Sequence, residues 1–277
     1  MSRLADYVAF TRPRSIPVTL AMALTGWLAS PARGHAVSDL AYLVAVHSIL
    51  LWGGSNAFNS AEDRDDGPVN LLPDPPAIPP HLGAFGVVLM VAAIGAAALR
   101  GPSCVALVAC AIALSIYYSW RGAPWRRGKE VVGVDNLINA SGCGLGSFCL
   151  GWCTTGAALS GSAIYLGLAW TVCLFGGMPT AQIFQLRPGD PANWTSWLGA
   201  ACTLRLGAVL FALHFAVLAP VSHGGLGTLV WAAGVIAAIA HSAWWSRAPL
   251  VHAYARMLRQ MAVLTTAQLA WAIGAAA

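Results

Sequence analysis

Long apolar runs with almost no charge between them constrain this chain more than any other feature. They fall at about 14–31, 40–59, 82–99, 102–120, 132–153, 157–179, 196–220, 224–245 and 256–275. Each is long enough to cross about 30 Å of hydrocarbon as a helix rising about 1.5 Å per residue. The runs are continuous, whereas a transmembrane β-barrel would need alternating segments of roughly ten residues. Only 9% of the residues are charged, against about 25% in a soluble domain, too few to coat a soluble surface. The expectation is one integral-membrane domain over 1–277, an all-α polytopic bundle of about nine transmembrane helices.

Lysine and arginine set the orientation. With the N-terminus inside, Arg3, Arg12, Arg14, Arg64, Arg121, Arg126, Arg127, Lys129, Arg187, Arg247, Arg256 and Arg259 fall on the cytoplasmic side. Arg33 and Arg100 fall opposite, and Arg205 lies in the cytoplasmic half of the seventh run. The expected location is a multi-pass membrane protein with its N-terminus in the cytoplasm. The net charge of +5 then needs no nucleic-acid partner. The first residues keep charges up to Arg14 and lead into a full-length span, unlike a cleavable signal. The seven cysteines lie in apolar runs without paired metal spacing and read as packing residues. His47, His214 and His241 read as packed, and span-end tryptophans such as Trp120, Trp125, Trp194 and Trp197 as an interfacial belt.

Against this apolar background stands "GGSNAFNSAEDRDDGPVNLLPDPP", residues 53–76. It gathers Glu62, Asp63, Asp65, Asp66 and Asp74 out of 10 acidic residues in the chain. In a continued helix Asn56, Asn59, Asp63 and Asp66 stand at i, i+3, i+7 and i+10, on one face. Gly67-Pro68 then ends the helix. Amides followed by carboxylates form an oxygen-ligand set suited to Mg²⁺, which takes one or two carboxylates plus substrate phosphates. A solvated loop explains Glu62 and Asp74. It does not explain asparagines at membrane depth, where unpaired polar groups are costly. Downstream, "YYSWRGAPWRRGK" (117–129) is basic, and the fifth run carries Asp135, Asn136 and Asn139. Asp135 and Asn139 share a face, to line a cavity or to bond between helices.

The stretch "NSAEDRDDGP" resembles the first aspartate-rich motif of the UbiA superfamily of intramembrane prenyltransferases. Asn59, Asp63 and one of Asp65 or Asp66 match it, with Ser60 where the family often has Asp. "FTRPRSIPVTL" is similar to the family's opening helix, and "YYSWRGAPWRRGK" to its Tyr-Ser, Pro, basic segment. The resemblance implies nine spans around a central cavity and a prenyl diphosphate bound through Mg²⁺. It implies ionisation of that diphosphate to an allylic cation, which a small lipophilic acceptor, aromatic or quinone-like, then attacks. Asn56, Asn59, Asp63 and Asp66 would hold Mg²⁺. Lys129, Arg126, Arg127 and Tyr118 would hold the diphosphate, with Asn139 beside it. Asp63, Lys129 and Tyr118 form the expected catalytic set.

The family's second acidic motif should lie in "GGMPTAQIFQLRPGDPANW", residues 176–194. Here stand Gln182, Gln185 and a single Asp190. Asp190 and Gln185 are then the remnant of a second metal site, with Arg187 contacting phosphate in place of the missing acid. The departure keeps two other readings open: a UbiA-type terpene cyclase, and a non-catalytic membrane protein that binds a polyprenyl lipid.

Overall fold

The computed structural model describes residues 4–32, 36–67, 69, 72–183 and 194–218, with isolated positions between 232 and 270. Among the described residues all named elements are helical. Helix α1 spans Leu4–Phe10. After a 3₁₀ turn at Pro13–Ser15 comes α2, Ile16–Ala29. Helix α3, Val37–Asp63, contains a π-helical stretch at Leu43–Gly53. It is followed by α4, Leu82–Arg100, and α5, Pro102–Ser119. A 3₁₀ turn at Gly128–Glu130 precedes α6, which runs from Val134–Ser141 through the π-helical Gly142–Gly146 into Ser147–Thr154. Helix α7 spans Gly161–Gln182 and α8 spans Trp194–Leu218, kinked at Gly199.

Five of these helices, α3, α4, α5, α7 and α8, are long and apolar enough to cross a membrane. The other expected spans differ or fall elsewhere. Helix α2 has 14 residues, short for a full crossing. Helix α6 is interrupted by its π-helical turn. The runs at 224–245 and 256–275 lie outside the described residues.

Close backbone approach joins successive helices. A Cβ placed on Gly54 of α3 would stand 2.8 Å from the Gly86 carbonyl of α4, and one on Gly86 would stand 2.6 Å from the Gly54 carbonyl. Gly176 of α7 and Gly207 of α8 repeat this reciprocal contact at 2.9 and 2.8 Å. Helices in lipid gain their association from such packing rather than from a hydrophobic drive. The core between them holds Trp170, Phe148, Leu43, Met90 and Leu150, all fully buried.

His47 is buried, its Nε2 within 2.9 Å of both Ser147 Oγ and Trp52 Nε1. The packed reading therefore holds. A π-helical stretch, Leu43–Gly53, carries His47, so its direction relative to Asn56 does not follow the 100° per residue of an α-helix. His214 is buried too, bonded to the Ala169 carbonyl at 2.7 Å. His241 lies outside the described residues.

Candidate functional site

The end of α3 organises the charged end of the bundle. The helix stops at Asp63, because Arg64 adopts the left-handed conformation at φ 55°. The Asp65 N–H then bonds back to the Ser60 carbonyl at 3.2 Å, a closure that satisfies an orphan carbonyl of the last turn. The helix thus ends before the Gly-Pro pair expected to break it. Asp66 leaves the stripe of Asn56, Asn59 and Asp63 and lies exposed in the following loop.

This closure is clamped from outside. Arg12 is buried with its own backbone at φ 54°. Its Nη2 donates to Ser60 Oγ at 2.9 Å and to the Asp65 carboxylate at 3.3 Å. Burial pulls the Arg12 guanidinium below its ordinary range, and Asp65 opposes that shift. Asn56 donates to the Thr11 carbonyl at 3.4 Å, so the segment before α2 is tied twice to the end of α3.

On its other side α3 is zipped to α5. Ser55 bonds Ser115, and Ser119 Oγ donates to Asn59 Oδ1 at 2.8 Å. One turn on, Glu62 accepts the Arg121 N–H at 2.7 Å. The Asp63 carboxylate then meets two cations from the loop after α5. Lys129 Nζ contacts Asp63 Oδ1 directly, and Arg127 Nη1 lies 3.1 Å from the same oxygen. Glu130 grips Arg127 from behind, through Nε at 2.7 Å and through Nη2. That hydrogen bonding holds the Glu130 carboxyl below the usual range. Burial pulls Lys129 down to about 8, against the raising influence of Glu130 and Glu62.

Of the other expected residues, Tyr118 lies at the end of α5 and its hydroxyl accepts from Asn139 at 3.2 Å. Arg126 is exposed; its neighbour Arg127 is the arginine brought to Asp63. Asp135 is a structural group. It accepts the Gly133 N–H at 3.0 Å and the N–H of Trp194, which opens α8, at 3.2 Å. Asn136 repairs a break in α7. Pro179 lies inside that helix and lacks the N–H that would bond the carbonyl four residues back. That carbonyl belongs to Phe175, and Asn136 Nδ2 donates to it at 2.8 Å. Gln182 accepts from Thr195 at 3.2 Å. Gln185, Arg187 and Asp190 lie outside the described residues.

Sequence reading missed Arg12, Arg121 and Glu130, taking the arginines only as topogenic charges. The one available signal was the pairing of an arginine with a proline just ahead of an apolar run.

The donor set bears on Mg²⁺. Among the described residues no three His, Cys, Asp or Glu side chains converge as a metal cage. Asn59 Oδ1 and the Asp63 carboxylate stand one turn apart at the edge of the bundle. Two protein oxygens fit a magnesium ion that keeps water and takes the rest of its ligands from phosphate. With Lys129 and Arg127 beside them, the arrangement can hold a divalent cation together with a polyanion.

No family model matches the chain, and no curated protein does. Solved structures do, over nearly the whole length. A digeranylgeranylglyceryl phosphate synthase superposes with a TM-score of 0.71 at 14% identity, covering 99% of each chain. A UbiA homologue from Archaeoglobus fulgidus, bound to DMAPP and Mg²⁺, gives 0.70 at 14% identity over 97% of this chain and 99% of that one. A UbiA homologue from Aeropyrum pernix K1 gives 0.67 at 15% identity over 94% and 96%. With helices as the only named elements and five of membrane length among the described residues, and with these superpositions, the chain has the fold of the UbiA homologues.

Proposed function

We propose that this protein transfers a prenyl group from a prenyl diphosphate to a small aromatic or quinone-like acceptor within the membrane, using Mg²⁺. The observation that carries the reading is one juxtaposition. Asn59 and Asp63 at the end of an apolar helix meet Lys129 and Arg127 from the next loop. An apolar tail suits the interior of the bundle, and an anionic head suits this end. The same reading takes the fold as nine spans, with this end and the N-terminus in the cytoplasm.

In the reaction the allylic carbon–oxygen bond breaks and both electrons leave with the diphosphate. The acceptor supplies the electron pair for the new bond and gives up a proton. The chemistry that Mg²⁺ supplies when bound is neutralisation of the charge developing on the departing group. Asn59 and Asp63 would hold it, with Asn56 and Asp66 in support. Lys129 and Arg127 pair with the phosphate oxygens, Arg127 through Nη1 by a charge-assisted hydrogen bond. Arg126 serves as an outer cation of the same loop. Tyr118 accepts from Asn139, which leaves its own O–H to donate to the diphosphate. Gln185, Arg187 and Asp190, which lie outside the described residues, are proposed from the sequence alone as the remnant of the second acidic motif. The apolar helices exclude water that would otherwise capture the allylic cation.

The test is Mg²⁺-dependent diphosphate release by the purified protein in lipid, with prenyl diphosphates of several lengths and a panel of phenolic and quinone acceptors. Release that requires an acceptor supports the transferase. Release without one, with a cyclic product, identifies a cyclase. No release with any donor leaves polyprenyl-lipid binding as the reading.

A further inference from the structure

Asp63, the carboxylate assigned to a metal ion, is paired with two cations of its own chain. Both cations sit on Oδ1, so a bare divalent ion must either displace them or take Oδ2 while standing beside two positive charges. Glu62 offers little relief, since its carboxylate accepts the Arg121 N–H at 2.7 Å. Asp65 is engaged by Arg12 at 3.3 Å. Glu130 is turned to Arg127. Among the described residues no third acid completes a metal cage. A diphosphate changes this balance, because its oxygens can accept the two cations that leave Asp63. Glu130 holds Arg127 through Nε and Nη2, so Nη1 can change partner while the guanidinium stays in place.

We propose that Lys129 and Arg127 are internal counter-ions of Asp63, so that this site takes a divalent cation tightly only together with a diphosphate. The cation pair is exchanged: Asp63 passes from Lys129 and Arg127 to the metal, and the two side chains pass to phosphate. This rests on the proposed function, and it adds an order to binding that the transfer reaction itself does not require. Coupling is reciprocal, so diphosphate tightens the metal by the factor by which the metal tightens diphosphate, about 5–150-fold for typical coupled ligands.

The experiment reads Mn²⁺ binding by electron paramagnetic resonance, with the full chain in lipid nanodiscs and inorganic pyrophosphate as the probe. Wild-type protein is expected to take up Mn²⁺ weakly alone and tightly with pyrophosphate, with Asp63→Asn showing neither. Lys129→Gln is expected to bind Mn²⁺ alone roughly tenfold more tightly than wild type, while the gain from pyrophosphate shrinks. Arg127→Gln should move both quantities in the same direction, and it stands in if Lys129→Gln is not monodisperse. Wild type that binds Mn²⁺ alone as tightly as Lys129→Gln overturns the counter-ion role but leaves the prenyl-transfer reading intact. Failure of wild type to bind Mn²⁺ even with pyrophosphate overturns both.

Discussion

Asp39 and Asp63 lie near opposite ends of the same helix, and each is paired with a cation, but the two pairs are built for different ends. Asp39 is almost fully buried. Its carboxylate takes Arg100 at 2.8 Å, the Trp27 indole at 3.3 Å and the Ala36 N–H at 3.4 Å. Arg100 in turn lies over the Tyr42 ring, 5.2 Å from its centroid. The acid is met by two neutral donors besides its base, and the base lies over an aromatic ring. Asp63 instead shares two cations from a surface loop, and one of them, Arg127, is shared again with Glu130. The first pair fastens α3 to its neighbours. The second, in the reading proposed above, trades partners when a polyanion arrives. An ion pair in a membrane bundle is thus not in itself a sign of function; what matters is whether its members have alternatives.

The largest effect expected from this contrast concerns Asp63→Asn. Diphosphate release should fall by at least about 10²-fold, as when a group that stabilises developing charge is removed. The protein should stay folded by circular dichroism and gel filtration. Loss of folding with loss of activity would make the two ends alike and erase the contrast.

Next comes a pH limb. In the proposed function Lys129 neutralises phosphate as the protonated amine, and burial has pulled it to about 8. The kcat/KM for prenyl diphosphate should therefore fall as pH rises through about 8, approaching tenfold per unit above it, because kcat/KM reports groups of the free enzyme. Lys129→Arg should move the limb upward. For stability the sign is opposite. A lysine held below its ordinary 10.5 disfavours the charged folded state, so its contribution improves as pH rises between about 8 and 10.5. An activity limb unmoved by Lys129→Arg would take Lys129 out of the site.

At the other end, Asp39→Asn should cost about 1–3 kcal/mol of stability by leaving Arg100 without its counter-charge. Release measured well below the unfolding temperature should be unchanged. A thermal melt beside an activity assay checks both statements at once.

The smallest effect sharpens the reading of α7. Asn136→Ala should destabilise by about 1 kcal/mol, because the Phe175 carbonyl then has no donor. In a Pro179→Ala background a backbone N–H serves that carbonyl, and the same substitution should cost close to nothing. A double-mutant cycle by thermal melting measures the difference.

Much of this was legible in the chain. The apolar runs place α3, α4, α5, α7 and α8 to within a few residues, because span length is dictated by the thickness of hydrocarbon. The Asn59–Asp63 stripe and the basic loop were legible as residue types at helical spacing, and Lys129 and Arg127 do meet Asp63. Helical spacing could not show that Arg64 turns left-handed and drops Asp66 from the stripe. Nor could it show that Arg127, not Arg126, reaches Asp63, since loop geometry decides between neighbours. The roles of Arg12 and Glu130 depend on side chains meeting across the fold, and topogenic arginines are expected on that side in any case. Asp135 and Asn136 read equally as cavity lining or helix glue, and the broken ladder at Pro179 and the start of α8 resolve them as glue.

The clamp at Arg12 also bears on how the protein is made. Its partner Asp65 lies 53 residues further along the chain. While the ribosome is still synthesising α3, the cation ahead of α2 has no counter-charge, and burying it unpaired near lipid is costly. The first hydrophobic segment therefore reaches its final seat only after the end of the next one has emerged.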